Sequence, residues 1–149
     1  MKATGLILIV AALSLAGLTS ALAAGSNSTA VSTTKTRLGK VIVNSRGRTL
    51  YLFEKDKRGM SACSGACASY WPPLITHGKA KALGGAKQSL LGTIKRANGA
   101  RQVTYAGHPL YTYILDTKRG QTNGEGSNLF GAGWDALTPA GKKIEKGGS

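Results

Sequence analysis

A phrase that this chain uses twice constrains its fold more than any other feature. "TLYLFEKDKRG" runs from Thr49 to Gly59, and "PLYTYILDTKRG" from Pro109 to Gly120. Gly47, Leu50, Tyr51, Phe53 and Asp56 correspond to Gly107, Leu110, Tyr111, Tyr113 and Asp116. Each copy also opens on a Leu-Gly pair, Leu38-Gly39 and Leu91-Gly92, with several extra residues between pair and motif in the second copy. Self-similarity of this kind marks an internal repeat. In a strand, Tyr51 and Phe53 point to one face and Leu50 and Leu52 to the other. The repeated rings therefore make one apolar stripe per copy, and two such units can pack into a single core. Asp56 and Asp116 fall where each strand should end, and a carboxylate there can accept backbone N–H groups and close a turn.

The flanking residues support β-structure. "GKVIVNSRGRTLYLFEKD" predicts a hairpin turning at Asn44 to Gly47, and the second copy has turn chemistry at Asn98-Gly99 and Ala106-Gly107. Between the copies, Ser61 is placed to cap a short helix through "ACSGACASYW", which Pro72 and Pro73 stop. Trp71 is expected to cover the join between the copies, and one more short strand is expected around Trp134 to Thr138. The fold expected is mostly β: two related β-hairpin repeat units packed as one small antiparallel domain, with a short helix between them. Its boundaries are 38–141, with copy one at 38–74 and copy two at 91–141.

The ends carry different signals. Lys2, an uncharged apolar run and the small residues Ala21 and Ala23 predict a secretory signal peptide over 1–23. Residues 24–37 are Ser/Thr-rich and read as a flexible linker, and residues 142–149 as a basic tail. No later segment is apolar and long enough to span a bilayer. The chain has 20 Lys plus Arg against 6 Asp plus Glu, so anionic envelope components are the partners to expect. Export argues against nucleic acid, although charge and aromatics alone would suit it.

The repeat, "SACSGACASYWPPL", "QVTYAGHPLYTY" and the closing "GAGWDALTPAG" together resemble the bacterial family of secreted repeats of unknown function. Its members are described as predicted lipoproteins with a Tyr-x-aromatic-x-x-Asp motif. The likeness spans Leu38 to Gly141 and implies a cell-envelope location and a paired repeat. It implies no established activity. The stretch Leu15 to Gly17 is followed by Leu18 rather than a lipobox cysteine, so a periplasmic or secreted protein without a lipid anchor is expected.

Cys63 and Cys67, in an exported chain, predict one disulfide across a helical turn. The alternative is a soft-metal or redox accessory protein. Met60, Cys63, Cys67 and His77 would be the metal candidates, because thioether, thiolate and imidazole suit soft ions. A thiol oxidoreductase would prefer Cys-x-x-Cys, one residue shorter. Catalytic residues are not assigned, and no enzyme is expected. No Gly-x-Ser-x-Gly elbow or phosphate-binding loop occurs, and "GEGSNL" puts Leu129 where a dinucleotide fingerprint needs glycine. Asp56 and Asp116 form a symmetric acid pair, yet turn closure accounts for them without catalysis. No cofactor is expected. The function expected is a non-enzymatic binding or interaction module, alternatively one that grips anionic polymers through its basic surface.

Overall fold

A computed structural model of the chain describes residues 28–144. The expected signal peptide and the residues from 145 onward lie outside the described residues. The strands are β1 (Ala30–Thr36), β2 (Gly39–Asn44), β3 (Tyr51–Phe53), β4 (Lys81–Ala82), β5 (Leu91–Lys95), β6 (Arg101–Tyr105), β7 (His108–Pro109) and β8 (Trp134–Ala136), with helix α1 at Ala66–Tyr70. They form three small sheets, ordered β2-β1-β4, β3-β8 and β5-β6-β7. All pairings are antiparallel except that of β1 with β4. The chain is mostly β, as its repeat pattern predicts.

The two copies repeat one construction. In copy one, β1 pairs with β2 and then Leu50 N–H donates to Ile42 O. In copy two, β5 pairs with β6 and Leu110 N–H donates to Val103 O. Each copy ends on a tryptophan segment that crosses to the other copy. Trp134–Ala136 pairs with β3, and Pro73 bridges to Tyr111. Ile42 N–H donates to Leu137 O and Val103 N–H to Leu74 O, both of these crossing between copies.

Strand alternation divides the core. Tyr51 and Phe53 of β3 enter one cluster with Val41, Val43, Trp71, Tyr111 and Trp134. Leu50 and Leu52 enter a second with Val31, Ile42, Val103, Tyr105, Leu110 and Leu137. The sheet period of two alone sends neighbouring side chains into different clusters.

Several expectations are corrected. Residues 30–36, expected in a flexible linker, are strand β1, paired with β2 from Val31 to Thr36. Their threonines are β-branched and fit a half-exposed pleated surface, and Val31 is fully buried. The opening Leu-Gly pairs are not equivalent. Gly39 opens β2 directly after the β1–β2 turn and matches Gly99 in the β5–β6 turn, both at positive φ (95° and 84°), whereas Gly92 lies within β5. Finally, the basic tail does not begin at 142: Lys143 bridges to Leu137, and Ile144 packs on the first core cluster.

The helix is shorter than expected. Gly65 stands at its N-cap with no side-chain hydrogen bond, and Ser61 is not its cap. The Ser61 hydroxyl instead bonds Tyr111 Oη at 2.7 Å.

Candidate functional site

The repeated residues converge on one place. Tyr51 N–H donates to Tyr111 O at 2.9 Å, and Tyr111 N–H to Tyr51 O at 3.0 Å. When equivalent residues exchange both bonds, the two units are related by an approximate two-fold passing between them.

The side chains obey the same relation. Tyr51 Oη donates to Asp116 Oδ2 at 2.6 Å, and Tyr111 Oη to Asp56 Oδ2 at 2.8 Å. Each tyrosine thus holds the aspartate of the other copy. Each aspartate also accepts a backbone N–H from a following loop, Asp56 Oδ1 from Ala62 at 2.7 Å and Asp116 Oδ1 from Asn123 at 2.9 Å. The turn closure expected of both aspartates is present, and the cross-copy phenol bond is an addition. Burial pushes both carboxyls above the usual carboxylate range, with their hydrogen-bond donors partly offsetting it. Burial also holds both phenols well above the ordinary tyrosine range, and the facing aspartates add to this. The phenols stay protonated and act as donors.

A column of rings runs through the same axis. Phe53 stacks on Trp134 at 4.0 Å, Trp134 on Trp71 at 3.9 Å and Trp71 on Tyr113 at 4.2 Å. Tyr51 meets Trp71 edge-on at 5.4 Å, and Tyr111 meets Trp134 edge-on at 5.2 Å. Tyr51, Phe53 and Tyr111 are buried, whereas Tyr113 is only half-buried at its end of the column. Such pairs add about 0.5–1.5 kcal/mol beyond area burial. Trp71 covers the join as expected. Trp134 as its mate in copy two was missed, although Trp-x-x-Leu occurs at both Trp71 and Trp134.

Other contacts also cross between copies. Arg119 lies against Gly47 and Arg58 against Gly107, two turn glycines at positive φ. Gly120 N–H donates to Gly47 O at 3.0 Å. The "KRG" that follows each aspartate therefore seats on the partner copy's turn.

Cys63 and Cys67 form a disulfide, with Cα atoms 5.3 Å apart. Arg96 braces this segment, donating to Cys63 O at 2.6 Å, Ser61 Oγ at 3.0 Å and Gln102 Oε1 at 2.6 Å. Sequence reasoning missed Ser61, Arg96 and Gln102 as a group, because only the fold brings them together. The four soft-metal candidates do not assemble. The two sulfurs are joined to each other, and Met60 and His77 are exposed. Among the described residues, no group of three or more His, Cys, Asp or Glu is placed to hold a metal ion.

Charge is segregated. Every described Lys and Arg except Arg48 and Arg96 is exposed. The described acids work inside the fold or at its seams. Asp56 and Asp116 are in the clasp, Glu125 accepts Ala136 N–H at 2.7 Å and Asp135 is buried. Glu54 is exposed but paired with Lys143 at 2.6 Å, which holds its carboxyl below the usual range. An open cleft of about 470 Å³ is lined by Leu52, Phe53, Glu54, Asp56, His108 and Lys143. Burial, and then Arg58, holds the His108 imidazolium below the usual histidine range.

A family model described as a secreted repeat of unknown function matches residues 32–75 and 92–138, more than half of the chain. These limits start one match inside β1 and the other inside β5, in agreement with the strand equivalence above. Neither a curated protein nor a solved structure matches the chain. Among the described residues, no helix is long and apolar enough to cross a membrane.

Proposed function

We propose that this chain, which belongs to the family of secreted repeats of unknown function, is a non-enzymatic interaction module. It works outside the cytoplasm and engages anionic envelope material through its basic surface. The observation that carries this reading is the segregation of charge. The described acids are taken up by hydrogen bonds within the fold or, for Glu54, by an ion pair, while nearly all the described cations face solvent. Long-range attraction to a polyanion follows, and it weakens as salt shortens the screening length. The motif groups are committed elsewhere. Both tyrosines and both aspartates are bonded to one another across the copies, so their role is to lock the repeats together.

The test is retention of the mature protein on immobilised heparin. We expect binding at low ionic strength and release as salt rises. Charge reversal at Lys55 and Lys57, both exposed, should bring release at lower salt. Passage of the wild-type protein straight through at low ionic strength overturns the reading.

A further inference from the structure

At the Tyr113 end of the ring column lies a surface that the clasp does not use. Tyr70, Ile114, Leu115, Leu129 and Phe130 are 38–59% exposed. They are contiguous: the rings of Tyr70 and Phe130 lie 5.9 Å apart, and Ile114 N–H donates to Tyr70 O at 3.0 Å. Phe130 adopts the left-handed conformation (φ 66°), where a bulky side chain is disfavoured and glycine or asparagine would be more stable. The fold does not require apolar groups here. At the positions of Ile114 and Leu115, copy one carries Glu54 and Lys55. An exposed apolar group that the core does not need marks a contact surface.

The rim gives the chemistry of the partner. Arg37 Nη2 reaches Thr122 O at 3.4 Å, and the neighbouring Asn123 side chain donates to Leu115 O at 3.3 Å. Lys118 follows in the same loop and is exposed. Asp116 beside it is buried in the clasp. Apolar and aromatic side chains flanked by the cations Arg37 and Lys118 match a bilayer surface, where rings and aliphatic chains enter the headgroup zone and basic groups meet lipid phosphates. We propose that this ridge is a membrane-docking face for anionic phospholipid. The proposal rests on the polyanion reading above and narrows its partner to a lipid surface.

Co-sedimentation with phosphatidylglycerol–phosphatidylcholine vesicles, set against phosphatidylcholine alone, tests it. The wild-type protein should bind the mixed vesicles and leave phosphatidylcholine unbound. Ile114→Glu combined with Leu115→Lys installs copy one's own residues and leaves net charge unchanged. It should lower vesicle affinity about tenfold or more while heparin retention stays the same. Phe130→Gly relieves the left-handed backbone and should also weaken vesicle binding without loss of folding. If the wild-type protein ignores the mixed vesicles, or if these variants bind them as well as it does, the docking face is overturned. In either case, undiminished heparin retention leaves the polyanion reading standing, and its loss removes both.

Discussion

In copy one, the face of β2 that meets the ring column carries Val41 and Val43. In copy two, the equivalent positions of β6 carry Gln102 and Thr104, also buried. Gln102 donates to Leu110 O at 2.8 Å and accepts from Arg96, which in turn grips the disulfide segment of copy one. Copy one has no counterpart of this network. The aspartate loops differ as well, Glu54-Lys55 against Ile114-Leu115. So does the residue after each turn: Arg48 donates to Asp116 O, while His108 in its place lines an open cleft. What both copies retain is the set of cross-copy contacts: Tyr to Asp, Trp to Trp, Arg to the turn glycine. The lesson is that contacts made in both directions across the axis rest on shared residues, whereas diverged residues such as Arg48 and Arg96 reach the other copy in one direction only.

The harshest way to break the comparison is at the centre of the column. Trp71→Ala and Trp134→Ala should each cost about 3–5 kcal/mol, measured by urea unfolding, because each leaves a cavity between stacked rings. Conversion to phenylalanine sharpens the contrast between copies. Trp134 Nε1 donates to Leu129 O at 2.8 Å, whereas Trp71 Nε1 is buried without a partner. Trp134→Phe should therefore destabilise more than Trp71→Phe. The reverse order would mean that the two tryptophans are not interchangeable in packing.

A smaller effect is expected at the disulfide, which only copy one has. Cys63→Ser with Cys67→Ser should cost roughly 2 kcal/mol or less, since so short a loop restrains the unfolded chain little. Intact mass of the exported protein should show the loss of two hydrogens. Full thiol reactivity without unfolding would remove the bridge from the account of copy one.

Next come the phenols. Tyr51→Phe and Tyr111→Phe should each cost about 1.5 kcal/mol, the lower range for a hydrogen bond to a charged group. The pH dependence follows from burial. Asp56 and Asp116 titrate above the ordinary carboxylate range, so the folded state binds protons more tightly than the unfolded one. Their contribution to stability is present at low pH and falls as pH rises through their raised values. The phenol donor favours the charged carboxylate. Its removal should therefore hurt more at about pH 7 than at about pH 4, and near-equal costs would show that the aspartates keep one protonation state across that range.

Much of this was legible in the sequence, and the failures have physical causes. The alternation of Leu50, Tyr51, Leu52 and Phe53 gave the two-sided strand directly. Strand β1 was lost because Ser and Thr dominate "AVSTTKT", and a half-exposed strand with one buried valine looks like a tether. Setting "TTKTRLG" beside "TIKRANG" aligns Thr33 with Thr93 and Lys35 with Lys95, a signal that the Leu-Gly pairing obscured. The exchange of Tyr–Asp bonds was not legible. Both partners were identified, but a motif within one copy gives no indication that its carboxylate is held by the other. The Arg96–Gln102–Ser61 group was hidden for the same reason, since its members belong to different elements.

The smallest expected effect is the most informative about divergence. Ile114→Glu with Leu115→Lys writes copy one's loop into copy two. Both residues are exposed, and the change should alter stability by no more than about 0.5 kcal/mol in urea unfolding. A cost of several times that would mean that the apolar pair supports the Tyr113 end of the column, and the difference between loops would then be structural. A negligible cost combined with weaker vesicle binding would separate the two demands on the repeat. The axis must match its partner copy, while the loop beside it is free to meet something outside the molecule.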